Sequence, residues 1–262
     1  MSEVSRHAPG SFCWVELATT DIESAGRFYV ELFGWEISDV PIGDGAMYAI
    51  ARIGGKDVGG LYELTAEQQS QGVAPHWLSY VAVRSVNEAV GRVPALGGTV
   101  LRAPFDVMDQ GRMAVVQDPS QATLALWEAK AHGGIGIVDE PGATCWNELY
   151  SSDPVAACRF YGALLGWTTR AQDMETIRYT VFMSGSADAA GMMPITPEWG
   201  AVPPDWLVYF AVDDCDAQAA VAQDLGGTVR VEPTDLTDVG RFAVLQDAQG
   251  GVFAILQAAM AA

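Results

Sequence analysis

The sequence predicts an α+β protein built from two tandem copies of one domain, each copy containing two βαβββ modules. Two observations support this prediction. Residues 13–35 return as residues 145–167, an offset of 132, with Cys-Trp-x-Glu-Leu and Arg-Phe-Tyr at matching places. Residues 77–112 return as residues 206–241, an offset of 129, with Leu-Gly-Gly-Thr-Val in both. Blocks of about 130 residues are too long and too few for a solenoid, so they indicate a duplicated domain.

The first module opens with an extended run at residues 12–18. Asp21 then begins a helix that runs to about Leu32, because an aspartate before a periodic apolar segment is a typical N-cap. Three short runs rich in β-branched and aromatic residues follow, and we expect these strands at residues 35–40, 46–53 and 58–64. Two glycine pairs lie among them without the strand-to-helix context of a phosphate loop. We therefore predict turns at Gly54-Gly55 and Gly59-Gly60.

The second module repeats this order. A strand at 77–83 precedes a helix at about 86–96, which Gly97-Gly98 stops. We expect three further strands, with the turn at Asp118-Pro119 before the last, at residues 100–103, 112–117 and 123–128. The second half repeats both modules, with opening strands at 144–150 and 206–212 and helices near 155–165 and 217–225. Arg112 and Arg241, each after a glycine, are expected to serve a hairpin and a salt bridge.

The repeats also set the predicted domain boundaries. The first domain covers residues 1–131 and the second 143–262, and we expect the two to superpose. Their modules lie at about 12–64, 75–130, 143–195 and 205–258. The glycine-rich stretch 132–142 is the natural linker between them.

Composition narrows the setting of the protein. Half of the 262 residues are hydrophobic, which is enough for two substantial cores. The formal net charge is −19 without an acidic block, which argues against a nucleic-acid partner, since phosphate binding needs clustered Lys and Arg. No long apolar run or secretory signal is visible, so we expect a cytoplasmic protein that has no membrane partner and is a monomer or homodimer.

The chain resembles the vicinal oxygen chelate superfamily, which includes glyoxalase I, extradiol dioxygenases and bleomycin-resistance proteins. The resemblance rests on the four modules together with Thr20-Asp21, Phe28-Tyr29 and Asp118-Pro119. Over nearly the whole chain the layout is similar to tandem glyoxalase-like proteins labelled antigens or hydroxylases, whose characteristic runs match residues 146–149 and 239–244. The resemblance implies two tandem glyoxalase-like domains with cup-shaped mixed sheets that bind small organic molecules. It does not fix a reaction.

The same resemblance implies where a metal would bind. Members that use a metal take one ligand from the opening strand, one from the partner module and one from the last strand. Those positions are occupied here by Trp14, Leu78 and Ala125 in the first cup and by Trp146, Leu207 and Ala254 in the second. A divalent ion needs about three converging N, O or S donors. We therefore predict no metal and no cofactor.

Strand alternation predicts what lines each cup, because side chains two apart share a face. Each cup is expected to be an aromatic-lined apolar pocket for a small hydrophobic or aromatic molecule, with one carboxylate and one tyrosine hydroxyl. The predicted lining of the first cup is Trp14, Glu16, Ala18, His76, Leu78, Tyr80, Ala125 and Trp127. The predicted lining of the second cup is Trp146, Glu148, Tyr150, Asp205, Leu207, Tyr209 and Leu256.

Most of these residues allow a second interpretation. Glu16 and Glu148 could be structural, bonded to backbone or to an arginine across the interface between the halves, or could contact a ligand or act as an acid or base. The tryptophans could pack the core or stack on a ligand. His76 could be a solvated turn residue or a ligand contact. The tyrosine hydroxyls need a partner, which could be a bound molecule.

Three function classes remain open. The first is a metal-independent protein that binds a small hydrophobic or aromatic metabolite. The second is a cofactor-free hydroxylase, cyclase or lyase of secondary metabolism, with Glu16 or Glu148 as base and Tyr80 or Tyr209 as acid, since burial would raise the pKa of the carboxylate towards neutrality. The third is a glyoxalase or dioxygenase with a displaced metal site. That site would use Glu16 and His76, with Glu128 reached only through a β-bulge.

Overall fold

The two halves of the chain form the same series of elements. The computed structural model describes residues 2–4, 7–43, 46–174 and 177–259. The first half contains β1 (Ser2–Glu3), β2 (Phe12–Thr19), α1 (Ile22–Phe33), β3 (Glu36–Gly43), β4 (Ala46–Ile53), β5 (Lys56–Glu63), α2 (Ala66–Ser70), β6 (His76–Ala82), α3 (Val86–Arg92), β7 (Thr99–Val107), β8 (Gly111–Gln117) and β9 (Thr123–Ala129). The second half contains β10 (Ile137–Val138), β11 (Thr144–Ser151), α4 (Pro154–Leu165), β12 (Thr168–Met174), β13 (Ile177–Ser184), β14 (Ala187–Pro194), β15 (Asp205–Ala211), α5 (Cys215–Asp224), β16 (Thr228–Leu236), β17 (Gly240–Gln246) and β18 (Val252–Ala258).

Each half folds into one curled, mixed sheet of eight strands. The first sheet has the order β3-β4-β5-β2-β6-β9-β8-β7, and the second has the order β12-β13-β14-β11-β15-β18-β17-β16. The two modules of a half join through the antiparallel pairs β2·β6 and β11·β15, while β2·β5 and β6·β9 are parallel. The predicted α+β class and the tandem βαβββ organisation are confirmed.

The main helices begin where the sequence predicted. Asp21 and Asp153 accept the backbone N–H groups of Ser24 and Ala156 at 2.9 and 3.0 Å, and each helix ends at a left-handed glycine. The helix expected at 86–96 is shorter: α3 ends at Arg92 and a 3₁₀ turn follows, because Pro94 cannot donate the next helical hydrogen bond. The prediction missed α2, whose signal was the Thr-x-x-Gln capping box before it.

The helices α1 and α4, which belong to the first module of each half, each pack in a core that contains residues of both halves. Side chains of α1 share one buried core with the second half, where Phe28 and Tyr29 meet Phe253 at ring distances of 6.4 and 5.5 Å. The equivalent core joins α4 to the first half. It contains Phe160 and Tyr161 together with residues of β8 and β9. The Phe-Tyr pair of the repeated motif therefore lies at the interface between the halves, while its arginine is exposed.

Buried hydrogen bonds repeat across this interface in both directions. Tyr29 Oη donates to Asp247 at 2.8 Å, and Tyr161 Oη donates to Asp118 at 3.2 Å. The aspartates are the turn residues that precede the last strands, and each also accepts backbone N–H groups of its own turn. Gly98 belongs to the repeated Leu-Gly-Gly-Thr-Val run. It leaves room for the ring of Phe160, because a β-carbon at this position would lie 2.5 Å from that ring. These motifs therefore hold the two halves together.

The predicted linker at 132–142 packs against the protein. Its short strand β10 pairs with β1 at the start of the chain, and Ile137 lies in the core shared by the halves. Trp35 Nε1 donates to the carbonyl oxygen of Gly142 at 2.9 Å. Within the described residues, no helix combines the length and the apolar character needed to span a bilayer.

Candidate functional site

The inner faces of the two sheets carry the predicted lining residues. We call these faces cup 1, in the first half, and cup 2, in the second. One apolar cluster in cup 1 contains the predicted lining residues Trp14, Leu78, Tyr80, Ala125 and Trp127, with Met113 beside them. The corresponding cluster in cup 2 contains Leu207, Tyr209 and Ala254, with Trp146, Tyr150 and Leu256 packed against it. In cup 1, Trp14 pairs with Tyr80, which pairs in turn with Ala125. In cup 2, Trp146, Tyr209 and Ala254 pair in the same way.

A carboxylate held by tyrosine hydroxyls lies at the centre of cup 2. Glu148 is 5% exposed, and its two carboxylate oxygens accept hydrogen bonds from Tyr179 Oη at 2.8 Å and Tyr209 Oη at 2.9 Å. Trp146 Nε1 in turn donates to Tyr179 Oη at 3.0 Å. Burial raises the pKa of Tyr209 and Tyr179, so both hydroxyls stay protonated and donate.

Cup 1 repeats this arrangement around Glu16. Tyr80 Oη donates to Glu16 Oε1 at 2.9 Å, and Trp14 Nε1 donates to Tyr48 Oη at 2.9 Å. Burial raises the pKa of Glu16, and a hydrogen bond from Tyr48 to its carboxylate opposes part of that rise. The two glutamates are therefore bonded to tyrosines of their own cup. Among the described residues, neither glutamate forms a hydrogen bond with backbone or with an arginine across the interface.

Sequence reasoning missed Tyr48 and Tyr179, which complete the two clusters. The signal was available, because the two tyrosines are related by the repeat and a repeated glycine faces each of them. Gly60 pairs with Glu16 in the parallel β2·β5 ladder, and the tyrosine hydroxyl occupies the space where a β-carbon would lie. Gly59-Gly60 is therefore not the predicted turn: it lies inside β5 so that Tyr48 can reach the carboxylate. Gly54-Gly55 does form the turn between β4 and β5, with both φ angles positive.

The electrostatics of the two glutamates are alike. Burial raises the pKa of Glu16 and of Glu148, and the hydrogen bonds from the tyrosines oppose that shift by stabilising the charged form. A carboxyl group with a raised pKa exchanges protons closer to neutral pH than an exposed one does. The clusters can therefore accept a hydrogen bond from a ligand or take up a proton.

The rims of the two cups carry different ionisable residues at corresponding positions. His76 pairs with Ala18 at the edge of cup 1, and its Nδ1 lies 2.8 Å from the carbonyl oxygen of Ala74. Asp205 pairs with Tyr150 at the corresponding place in cup 2. The residue is exposed, but the carboxyl group itself is desolvated by the surrounding walls, which raises its pKa to about 6. Its partner Tyr150 meets the ring of Trp199 edge-on at 5.3 Å.

One end of cup 1 is covered by the segment that follows β9. The ring of His132 meets Trp14 edge-on at 4.6 Å, and Trp127 Nε1 donates to the carbonyl oxygen of His132 at 3.2 Å. Burial lowers the pKa of His132, so the imidazole is neutral at neutral pH. Trp14 and Trp127 are each only 6% exposed, whereas Trp146 in cup 2 is partly exposed. The cup 1 tryptophans therefore pack with the protein itself, and Trp146 is the more accessible stacking surface.

The donor set does not fit the metal of the fold family. The six ligand positions lie on the cup faces as expected, but tryptophan, leucine and alanine occupy them. Within the described ranges, no group of three or more His, Cys, Asp or Glu side chains could hold a metal ion. Glu128 faces the other way: its Oε2 accepts the backbone N–H of Val86 at the start of α3 at 2.9 Å, and no bulge interrupts β9. Glu128 therefore cannot be the third ligand of a displaced metal site formed with Glu16 and His76.

A test of the Glu148 environment follows from the sign of its pKa shift. Because the folded pKa lies above the ordinary value of 4.5, the folded state binds this proton more tightly than the unfolded chain. The associated stability is fully present below pH 4.5 and is lost as pH rises through the folded pKa. We expect wild type to lose stability relative to Glu148→Gln from about pH 4.5 upward. Urea unfolding of both proteins from pH 4 to 8 measures this, and a stability difference independent of pH would contradict it.

Comparison with known families agrees with the fold. A sequence model of the "Glyoxalase/Bleomycin resistance protein/Dioxygenase superfamily" matches residues 11–126. A model described as "Glyoxalase-like domain" matches residues 146–256. The two matches fall on the two eight-stranded sheets.

Two groups of relatives extend over nearly the whole chain. CFP32 of Mycobacterium tuberculosis, provisionally named a glyoxylase, is 40% identical over 261 residues that cover 99% of both chains. The anthracycline biosynthesis protein DnrV of Streptomyces peucetius is 33% identical in an alignment that covers 97% of this chain and 95% of the relative.

Solved structures share the fold at low sequence identity. The Mn(II)-bound glyoxalase from Novosphingobium aromaticivorans superposes with a TM-score of 0.65 at 18% identity and covers 98% of this chain and 83% of its own. The 2,3-dioxygenase LapB from Pseudomonas sp. KL28 gives a TM-score of 0.63 at 13% identity and covers 98% and 93%. At these identities the likeness concerns the fold alone.

Proposed function

Because this chain belongs to the glyoxalase, bleomycin resistance protein and dioxygenase superfamily, we propose that its cups bind a small hydrophobic or aromatic metabolite without a metal. The observation that carries this proposal is the Glu148 cluster. Two tyrosine hydroxyls fix the carboxylate, and an aromatic wall surrounds it, in the region where metal-dependent members place their ion. In this chain the carboxylate and its tyrosines are the polar groups that would orient a ligand.

The geometry supports recognition of a ligand with a polar group on an aromatic ring. Tyr179 and Tyr209 each donate to one oxygen of Glu148, and Tyr150 also hydrogen-bonds the carboxylate. A carboxylate has about four acceptor positions, so one remains for a ligand. A ligand hydroxyl could donate to that position while the ring lies against Trp146 and Leu256. The relative named for anthracycline biosynthesis supports the same chemistry, since anthracyclines are polycyclic aromatic molecules.

A second candidate is cofactor-free proton transfer in the same cups. It is favoured by the raised pKa of Glu16 and Glu148, which suits a general base near neutral pH. Tyr80 or Tyr209, whose hydroxyls stay protonated, would then act as the acid. This would make the protein a cyclase or lyase in which the carboxylate takes a proton from the bound substrate. A hydroxylase would in addition need dioxygen as the oxidant, with the deprotonated substrate supplying the electrons.

An anthracycline titration tests the proposal. We expect quenching of tryptophan fluorescence that persists in excess EDTA, and we expect Glu148→Gln to weaken binding about tenfold, because it removes a charged hydrogen-bond acceptor. Glu23→Gln is the matched control, since that glutamate is exposed on α1, and it should leave affinity unchanged.

The outcomes separate the two candidates. Weakened binding in Glu148→Gln supports recognition by the carboxylate. Unchanged binding with loss of turnover of an identified substrate supports the base. The metal-independent proposal would be wrong if binding disappeared in EDTA and returned with added Mn²⁺.

A further inference from the structure

The edge strand β7 carries a cation and an aromatic ring on the face of cup 1. Arg102 pairs with Val115, and Phe105 pairs with Met113, and these partners pack in the cup 1 cluster. The two residues are three apart, so strict alternation would place them on opposite faces. A register shift between Arg102 and Phe105 brings both to the inner face.

The guanidinium of Arg102 is held against an aromatic ring and has no salt-bridge partner among the described residues. It lies over the ring of Phe105, with Cζ 3.9 Å from the ring centroid. Arg102 is exposed and forms no hydrogen bond or salt bridge with a described residue, although its charge favours the ionised form of the Glu16 carboxyl group deeper in the cup. Arg112 on the next strand, by contrast, is paired with Asp106 at 3.0 Å. Arg102 thus presents a fork of N–H donors at the rim of an aromatic cup.

Cup 2 lacks this feature although its backbone is built in the same way. The edge strand β16 shows the same register shifts, but Val231 and Thr234 occupy the positions of Arg102 and Phe105. The cation on the other edge strand of cup 2 is Arg170, which is already paired with Asp188 at 2.9 Å. Arg178 on β13 precedes Tyr179, which faces the cup, so strand alternation places Arg178 on the opposite face. The rim of cup 2 therefore offers no unpaired cation to the cup among the described residues.

From this difference we infer that cup 1 selects a small aromatic carboxylate, with Arg102 binding the carboxylate, whereas cup 2 accepts neutral aromatic molecules. The inference rests on the proposed binding of aromatic molecules in the cups. A planar guanidinium binds a carboxylate through two parallel hydrogen bonds, while the ring of the ligand enters the apolar cup. A protein of net charge −19 repels anions at long range, so an anionic ligand needs such a local cation.

The test compares 2-naphthoate with 2-naphthamide, which have the same ring and nearly the same shape but differ in charge. Calorimetric titration of wild type is expected to give tighter binding of the naphthoate, weakening as salt is raised. Arg102→Met should raise the Kd of the naphthoate at least tenfold and change that of the naphthamide less than twofold. Arg27→Met is the matched control, because it removes the same charge from the exposed face of α1.

A gain of function provides the second arm. Val231→Arg with Thr234→Phe places the missing pair on cup 2, and we expect the number of naphthoate sites per chain to rise from one to two. If naphthamide binds wild type but Arg102→Met leaves naphthoate affinity within twofold, this inference is overturned and cup binding stands. If neither naphthalene binds wild type, the proposed function fails as well.

Discussion

Trp206→Ala is expected to lower the free energy of unfolding by about 3–5 kcal/mol. The side chain is 2% exposed and lies in the core that joins α4 to the first half. Its Nε1 donates to Tyr161 Oη at 2.8 Å, and its ring meets those of Tyr161 and Phe12 at 5.3 Å. Removing the indole leaves a cavity and deletes a buried hydrogen bond. Since single domains are stabilised by about 5–15 kcal/mol, the loss is a large fraction of the total.

Urea denaturation followed by circular dichroism and by fluorescence measures this effect. The two signals should change together, because the affected core contains both halves. Trp199→Ala is the control: Trp199 is partly exposed at the rim of cup 2, and its loss should cost no more than about 1.5 kcal/mol. A loss below that value in Trp206→Ala, or unfolding of one half alone, would contradict the shared core.

Gly191→Ala is expected to abolish ligand binding in cup 2 and to destabilise the protein by about 1–3 kcal/mol. A β-carbon at this position would overlap the hydroxyl end of Tyr179 and would lie 2.9 Å from Trp146 Nε1. Tyr179 must therefore move, and Glu148 then loses the hydrogen bond from its hydroxyl. The effect arises from steric overlap, because Gly191 is not among the glycines with positive φ.

The matched control is Gly91→Ala. Gly91 is inside α3 with nothing near its missing β-carbon, so alanine should stabilise the protein by up to about 1 kcal/mol. Thermal unfolding and anthracycline titration of both variants give the result. If Gly191→Ala bound the ligand in cup 2 with normal affinity, the position of Tyr179 beside Glu148 would not be required for binding.

The sequence by itself determined the duplication, the positions of the helix caps and the faces of the opening strands. These are local properties: aspartate caps a helix through its own next residues, and strand alternation sends Trp14 and Glu16 to one side. The presence of one glutamate and one tyrosine in each cup therefore followed from spacing alone. The mismatch between the metal-ligand positions and the residues that occupy them followed from the resemblance to the superfamily, which implies where those positions lie.

Only the tertiary structure decided which groups meet. Tyr48 reaches Glu16 because β4 and β5 pair in a register that sets the ring over Gly60, and pairing between strands is not encoded in the period of either strand. Arg102 faces cup 1 because of a register shift that alternation cannot foresee. The helix α1 packs in a core shared by both halves, since an apolar helix face specifies that it must be buried but not which elements bury it.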